Sequence, residues 1–200
     1  MSAPAEVETS RLLLRRWRVS DRAPFAALNA DPVVMGYFPA PLSRAESDAL
    51  ADRIDSGFDR RGFAPWAVEV RATGRFIGFT GLLPMPEGVP GAGGVEVGWR
   101  LAREAWGRGY ATEAAQASVA VAFDPLGLGL GELNSITAVG NLRSRAVMER
   151  LGMHLADSFE HPRLAEGSPL RPHVRYVLTA PDAEGAATGA DADGTATTTA

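Results

Sequence analysis

VEVGWRLAREAWGRGYATEA, residues 95–114, is the stretch that decides the fold. It begins with Val95–Leu101, in which apolar side chains alternate with others as in a half-buried β-strand. It ends in Gly107–Ala111, a Gly-x-Gly-x-Ala sequence that leads into the apolar stretch Thr112–Phe123. The pattern therefore predicts a strand, a short glycine-rich loop and a helix in direct succession.

The loop before this helix is suited to binding a diphosphate. Successive N–H groups at a helix N-terminus point to one place, and the helix dipole adds partial positive charge there. Gly107 and Gly109 have no Cβ, so an anion can approach the backbone closely, and Arg108 adds a mobile positive charge. We predict a pyrophosphate-binding loop. A glycine-rich loop without a ligand is the alternative.

Two common nucleotide-binding loops do not fit this sequence. A dinucleotide-binding Gly-x-Gly-x-x-Gly loop needs a third glycine where Thr112 stands, and an acidic residue about 20 residues further on at the end of a second strand. A Walker loop needs a lysine, and the chain has none. A nucleotide-dependent oxidoreductase is therefore the weaker alternative.

The rest of the chain alternates between strand and helix patterns. A capping box at Ser43–Glu46 begins one helix, whose apolar residues follow at spacings of four. Strands mixed with helices, and a hairpin within residues 66–80, predict a sheet covered by helices, of the α/β or α+β class. The predicted strands are residues 11–15, 66–70, 76–80, 95–101, 135–139, 154–158 and 174–179, and the predicted helices are residues 21–29, 44–58, 112–123 and 143–151.

Composition and charge exclude several classes of function. The 200 residues are 46% hydrophobic, enough to fill a core, and their formal net charge is −4. The acidic residues within 181–200 account for that charge, so the remainder is neutral and unlike a general nucleic-acid-binding protein. The lack of Cys and Lys excludes a cysteine nucleophile, a thiolate metal site and a Schiff-base lysine. We predict no metal site, because His, Asp and Glu do not cluster at ligand spacing.

We predict one domain, residues 8–180, between a flexible N-terminus, residues 1–7, and a disordered tail, residues 181–200. The tail is mostly Ala, Gly, Thr and Asp, which bury too little apolar surface to offset the entropy of ordering. No stretch approaches the ~18 apolar residues of a membrane helix, and the N-terminus lacks a signal-peptide pattern. We therefore expect a cytoplasmic protein without a membrane or nucleic-acid partner.

Two motifs resemble those of the GCN5-related N-acetyltransferases (GNATs). Trp106, Gly109 and Ala111 match the family's Gln/Arg-x-x-Gly-x-Gly/Ala loop, except that tryptophan stands at the first position, as is usual in the RimJ/RimL-like branch. The block Asn141–Met153 is similar to that branch's Asn-x-x-Ser-x-x-Val-x-Glu-Lys-x-Gly-Phe, with Arg and Met for Lys and Phe. Glu8–Arg15 also resembles the branch's first strand. The likeness covers about residues 8–179.

The resemblance implies a fold and a cofactor. The fold would be a mixed, twisted sheet of six or seven strands with about four helices, and its two parallel central strands would splay apart. The cofactor would be acetyl-CoA, its pyrophosphate bound by N–H groups of residues 107–112 and its pantetheine arm bound by the strand edge at residues 99–101 and by Asn141. The implied cofactor-binding residues are Trp99, Arg100, Leu101, Trp106, Gly107, Arg108, Gly109, Tyr110, Ala111, Thr112 and Asn141.

Acetyl transfer to an amine needs a neutral amine, a stabilised oxyanion and a released thiolate. Without cysteine, direct attack in a ternary complex is the economical mechanism. Glu96 is the candidate base, because burial on an apolar strand would raise its pKa; an exposed strand carboxylate is the alternative. The resemblance places Ser144 near the thioester sulfur, although a helix N-cap or first-turn role also explains it. Met148 stands where many relatives have a tyrosine acid, which keeps a non-catalytic acyl-CoA sensor as an alternative.

The expected acceptor is a primary amine, on a protein N-terminus or on a small molecule. By resemblance, Tyr37 and Phe38 lie at the family's acceptor pocket, and Glu160 and His161 lie where relatives place acceptor-binding groups. Core packing or a surface turn also explains these four residues. Glu160 is in addition an alternative base. A homodimer is compatible with this branch, although no surface stripe in the sequence indicates one.

Overall fold

The computed structural model describes residues 2–181, which build one eight-stranded mixed sheet. Its strands are β1 (Glu6–Glu8), β2 (Leu12–Arg15), β3 (Pro65–Val70), β4 (Arg75–Pro84), β5 (Val95–Leu101), β6 (Glu132–Ala138), β7 (His154–Glu160) and β8 (Pro172–Thr179). They lie in the order β1-β2-β3-β4-β5-β6-β8-β7. Only β5 and β6, among these neighbours, run parallel.

Four α-helices accompany this sheet within residues 2–181: α1 (Arg22–Ala30), α2 (Arg44–Arg61), α3 (Tyr110–Phe123) and α4 (Leu142–Arg150). The mixed α/β class and the four predicted helices are therefore confirmed. The predicted capping box begins α2, where the Ser43 N–H donates to the Glu46 carboxylate at 2.7 Å and the Glu46 N–H donates to Ser43 Oγ at 3.3 Å. No helix of the described residues combines the length and apolarity needed to cross a membrane.

The sheet has eight strands, so the prediction of six or seven was too low. The additional strand is β1, which pairs with β2 from Glu6↔Arg15 to Glu8↔Leu13. It has the sequence Glu-Val-Glu. Three residues are too few for their alternation to indicate a strand, which takes four or more.

The N-terminal residues before β1 also contact the domain. The Ala3 N–H donates to the Gly62 carbonyl at 2.6 Å, and Trp66 Nε1 donates to the Pro4 carbonyl at 3.0 Å. The segment expected to be flexible, residues 1–7, thus has defined contacts from Ala3 onward. Apart from Pro181, the tail predicted to be disordered, residues 181–200, lies outside the described residues.

β5 and β6 separate at the centre of the sheet. These two strands pair only at Glu96↔Asn134 among the described residues and then diverge. Side chains close the paired end: Asn134 Nδ2 donates to the Val95 carbonyl at 3.3 Å, and Arg175 Nη1 donates to Asn134 Oδ1 at 2.6 Å. Beyond Glu96, the edge of β5 that is turned towards β6 pairs with no strand within residues 2–181 and faces a cavity.

Helix α3 packs closely against the sheet beside this opening. Ala114 and Ala115 are fully buried, the first in an apolar cluster around Trp66 and the second in a cluster around Leu133. Such small side chains let the start of the helix approach the strands, and a close-packed interior holds it there. The loop that precedes α3 is therefore fixed relative to the diverging strands.

Candidate active site

A cavity of about 1620 Å³ occupies the opening between β5 and β6. The loop before α3 and the first turns of α3 and α4 line it, together with side chains between Val33 and Pro39 and between His161 and Leu164. Alternate residues of a strand point to opposite faces, so Glu96 and Arg100 share one face of β5 and Val97 and Trp99 share the other.

The second of these faces is the one that carries α3. Val97 is buried in the same cluster as Ala115 of α3, and Trp99 packs against that cluster. Glu96 and Arg100 therefore point away from α3. The cavity has two sides, one at the start of α3 and one at Glu96 and Arg100.

The start of α3 presents a row of free backbone donors. The N–H groups of residues 107–112 have no hydrogen-bond acceptor among the described residues, and the first intrahelical bond runs from the Glu113 N–H to the Gly109 carbonyl at 3.0 Å. Gly107 and Gly109 adopt left-handed φ values of 72° and 78°. A side chain with Cβ adopts this conformation only at a cost of roughly 1–2 kcal/mol. Converging donors at a helix N-terminus form an anion site, as predicted from the sequence.

An ion pair that the sequence analysis missed holds this loop in place. Glu113, in the first turn of α3, accepts from Thr9 Oγ1 at 2.6 Å, from the Arg11 N–H at 2.9 Å and from Arg11 Nε at 2.6 Å. Burial alone would raise the pKa of Glu113, but the hydrogen bonds from Thr9, Arg11 and Ser10 outweigh it, so the pKa lies below its ordinary value. Arg11 Nη1 also donates to the Arg108 carbonyl at 2.9 Å.

Trp106 has a structural role at the first position of the loop motif. Its Nε1 donates to the Leu101 carbonyl at 2.8 Å, which ties the loop to the end of β5. The guanidinium of Arg143 lies 4.7 Å from the centre of the indole ring, within the range of a cation–π contact. Arg143 thereby holds a positive charge over the side of the cavity that contains the free N–H groups.

Glu96 is the half-buried acid of the cavity. Its carboxylate borders the cavity and is otherwise surrounded by protein, and this burial raises its pKa from 4.5 to about 8. No hydrogen bond from the described residues reaches its carboxylate to offset the desolvation. The side chain can therefore exchange a proton near neutral pH, as a general base must.

Asn141 begins α4 and orients Ser144. Asn141 Oδ1 accepts from the Ser144 N–H at 3.3 Å, while Asn141 Nδ2 donates to Thr137 Oγ1 at 2.9 Å and to Ser144 Oγ at 3.0 Å. Both amide hydrogens of Asn141 are thus in use, so this side chain positions the two hydroxyls. The hydroxyl proton of Ser144 has no acceptor among the described residues and is available within the cavity.

Tyr37, Phe38 and Arg100 lie together on the Glu96 side. The Tyr37 hydroxyl donates to the Gly140 carbonyl at 2.9 Å, so the segment after α1 reaches across to the loop before α4. The guanidinium of Arg100 lies 4.1 Å from the ring centre of Phe38, and Arg100 Nη1 donates to Asn29 Oδ1 at 2.6 Å. These contacts form the wall of the cavity opposite α3.

His161 and His173 complete this side, whereas Glu160 points elsewhere. The two imidazole rings lie 4.8 Å apart, and both residues line the cavity. Burial lowers the pKa of both histidines, and for His161 the neighbouring His173 lowers it further. Glu160 is exposed, pairs with Arg171 at 3.1 Å and does not line the cavity.

Comparison with known proteins identifies the family. The profile described as "Acetyltransferase (GNAT) domain" matches residues 11–154. The chain belongs to the GNAT acetyltransferase family. One relative, the "FsC-acetyl coenzyme A-N(2)-transacetylase" of Aspergillus fumigatus, is 34% identical over 192 residues, covering 90% of this chain and 78% of its own.

Solved GNAT structures share the fold. The acetyltransferase from Agrobacterium tumefaciens str. C58 superposes with a TM-score of 0.71 at 27% identity, covering 89% of this chain and 95% of its own. RimL, a ribosomal L7/L12 alpha-N-protein acetyltransferase in complex with coenzyme A, superposes with a TM-score of 0.68 at 16% identity, covering 89% and 97%. At this low identity the second likeness shows the fold alone.

The chain is therefore an N-acetyltransferase that uses acetyl-CoA, and its residues fit that cofactor. The free N–H groups at the start of α3 suit a diphosphate, and the edge of β5 beyond Glu96 is open to an extended arm. Most predicted cofactor residues line the cavity: Trp99, Arg100, Leu101, Trp106, Gly107, Gly109, Tyr110, Ala111, Thr112 and Asn141. Arg108 does not line it, and the side chain of Arg100 lies on the other face of β5.

Two features bear on the alternatives. Family membership excludes the oxidoreductase that the glycine-rich loop left open. Met148 is 1% exposed and buried in the apolar core, so this position contributes packing and no proton donor.

Among residues 2–181, no group of three or more His, Asp or Glu could hold a metal ion.

Proposed function

We propose that this GNAT acetylates a primary amine by direct transfer from acetyl-CoA in a ternary complex. The observation that carries the proposal is the position of two groups on opposite sides of the cavity. The free N–H groups of residues 107–112 lie on the α3 side, and the desolvated carboxylate of Glu96 lies on the other. Cofactor and acceptor entering from these two sides would meet between β5 and β6.

Glu96 would remove the proton from the acceptor's ammonium group. Bound acetyl-CoA supplies the thioester carbonyl that the resulting neutral amine attacks. A carboxylate with an ordinary pKa is a poor base for an amine that titrates near ~8 to ~10. The raised pKa of Glu96, about 8, brings the two groups close to a match.

Ser144 would assist the departing thiolate. Its Oγ accepts from Asn141, so its own proton remains free to donate. A hydroxyl held by a neighbour in this way loses little entropy when it donates to a developing charge. A free thiol ionises near ~8.5, so one hydrogen bond suffices and a full proton transfer is unnecessary.

We assign the chain to the RimJ/RimL-like branch on the basis of Trp106 and the Asn141–Met153 block. The name of the Aspergillus relative, an N(2)-transacetylase, supports an amine acceptor. The acceptor of this chain would accordingly be an amine on a protein N-terminus or on a small molecule.

The test is a thiol-release assay with acetyl-CoA and a panel of small amines and N-terminal peptides. Glu96→Gln should bind CoA normally but lose roughly 10²-fold or more in turnover, the usual contribution of a general base. Glu104→Gln, which removes an exposed carboxylate that pairs with Arg75, is the matched control. Normal turnover by Glu96→Gln would exclude Glu96 as the base, and no turnover with any amine would overturn the proposed function.

A further inference from the structure

Arg100 lines the cavity and has no carboxylate partner among the described residues. Its guanidinium lies over the ring of Phe38 at 4.1 Å and over that of Phe79 at 5.5 Å from the ring centres, and its one hydrogen bond within residues 2–181 goes to the neutral amide of Asn29. No carboxylate of the described residues lies within 4.0 Å of it. Burial lowers the pKa of Arg100 to about 10, which leaves it charged at neutral pH.

The nitrogens of this guanidinium are not all used. Nε is buried without a partner, and Nη1 donates to Asn29. Nη2 has no hydrogen bond from the described residues and is not among their buried unpartnered atoms, so solvent in the cavity reaches it. The two ring contacts and the hydrogen bond to Asn29 hold this half-buried side chain in one orientation. Its Nη2 is therefore ready to donate one charge-assisted hydrogen bond to an anion.

The charges around Arg100 are unevenly divided. Glu96 and Glu113 are the only acidic residues that line the cavity within the described part of the chain, and Arg11 already neutralises Glu113. The cavity-lining arginines are Arg11, Arg100, Arg143, Arg150 and Arg163. Arg143 stacks on Trp106 on the α3 side, whereas Arg100 lies on the Glu96 side. On the acceptor side, Glu96 is therefore the only cavity-lining carboxylate of the described residues, and no ion pair joins it to Arg100.

We infer that Arg100 binds a carboxylate of the acceptor, so that the substrate is an amine that also carries a carboxylate. This inference rests on the proposed function, because it assigns the amine to Glu96 and the carboxylate to Arg100. One accessible nitrogen, Nη2, can give one charge-assisted hydrogen bond to that carboxylate. The side chain of Phe38 would cover the pair and exclude water.

The distance between the two residues sets the form of the acceptor. Glu96 and Arg100 lie four residues apart on a regular strand, a separation of about 13 Å between their Cα atoms. An amine at Glu96 and a carboxylate at Arg100 are then separated by several bonds. We expect an amino acid with a distant amine, or a peptide with an acidic side chain near its N-terminus, rather than glycine.

The first experiment compares acceptors that differ only in charge. Glycine, β-alanine, 4-aminobutyrate and 6-aminohexanoate are each assayed beside the corresponding primary amide, and N-terminal peptides with glutamate at the second position are assayed beside those with glutamine. The wild-type enzyme should prefer carboxylates by about tenfold or more in kcat/KM, mainly through KM. Within the series, a longer amino acid should be better than glycine.

The second experiment changes the cation. Arg100→Gln should abolish the preference for carboxylates, and Arg100→Lys should retain part of it. If Arg100→Gln does not fold, Asn29→Asp is the alternative variant. Asn29 Oδ1 lies 2.6 Å from Arg100 Nη1, so an aspartate there would form an ion pair with Arg100. This pair should neutralise Arg100 and remove the preference for carboxylates. Arg143→Gln is the matched control, since it should change the KM for acetyl-CoA and leave the preference as it is.

The outcomes separate the two proposals. If amines are acetylated without a preference for carboxylates, or if Arg100→Gln and Asn29→Asp both keep the wild-type preference, the role of Arg100 is refuted and the proposed function stands. If acetyl-CoA binds but no member of either series is acetylated, both proposals fail.

Discussion

Arg11 Nε lies 2.6 Å from Glu113 Oε2, and this ion pair joins the segment before β2 to the first turn of α3. Arg11 also donates to the carbonyl of Arg108, inside the loop whose N–H groups are free. This hydrogen bond restrains the peptide group of the Arg108 carbonyl, so the N–H groups of the loop beside it keep their direction. The pair thus preorganises an anion site without contacting the anion itself.

Glu113→Gln should therefore weaken acetyl-CoA binding while the domain stays folded. The amide of glutamine cannot accept from Thr9 and Arg11 with the strength of a carboxylate, and the loop should lose its fixed orientation. We expect the KM for acetyl-CoA to rise by about tenfold, with a smaller change in kcat. Steady-state kinetics with varied acetyl-CoA measure this. Glu104→Gln, an exposed control beside the same loop, should leave the KM unchanged.

Gly107→Ala tests whether the left-handed residues of the loop serve binding. Gly107 has a φ of 72° and Gly74, in the β3–β4 turn, has a φ of 65°; in both places a Cβ would meet nothing within 4 Å. Each alanine should cost about 1–2 kcal/mol in the free energy of unfolding. Only Gly107→Ala should also weaken CoA binding, as measured by calorimetry. Equal CoA affinities in the two variants would mean that this loop does not bind the diphosphate.

The local parts of the site could be predicted from the sequence. The strand, loop and helix at residues 95–123 are contiguous, so their order, the free N–H groups and the left-handed glycines follow from short-range rules. The burial of Glu96 likewise follows from a carboxylate placed in an apolar strand. Asn141 and Ser144 are three residues apart, and their contact is the ordinary cap of a helix.

Contacts between distant residues could not be predicted in this way. Arg11 and Glu113 are separated by 102 positions, and Arg100 and Asn29 by 71, so no pattern within a window of sequence relates them. Arg100 was assigned to the cofactor through the backbone edge of residues 99–101, which says nothing of its side chain, and alternation along the strand turns that side chain to the other face. Glu160 was assigned to the acceptor by its position in the chain. Its ion pair with Arg171 forms because the loop between β7 and β8 brings these two residues together.

Asn141→Asp separates the two roles of Asn141. Aspartate still accepts from the Ser144 N–H and caps α4, but it cannot donate to Ser144 Oγ or Thr137 Oγ1. The Tm of Asn141→Asp should stay close to that of the wild type, whereas Asn141→Ala should lower the free energy of unfolding by about 1 kcal/mol. Turnover should fall in both variants. A fully active Asn141→Asp enzyme would show that the orientation of Ser144 does not matter for the reaction.

The pKa of Glu96 predicts how stability depends on pH. In the unfolded chain this carboxyl titrates near 4.5 and in the fold at about 8, so between these values the folded state holds a proton that the unfolded state has released. The free energy of unfolding therefore falls as pH rises through this window. Glu96→Gln removes the effect. The Tm difference between variant and wild type should favour the variant increasingly from pH 5 to pH 9, and a constant difference would contradict the raised pKa.

The same pKa predicts a pH profile for the reaction. A base must be deprotonated to act, so kcat/KM should rise with pH and level off above about 8, and Glu96→Gln should lack this limb. The acceptor's own amine also gives a rising limb, and two acceptors with different amine pKa values tell the two apart. A limb that stays near 8 with both acceptors belongs to Glu96. A limb that moves with the amine would mean that the free amine is selected from solution and that Glu96 carries no proton in the rate-limiting step.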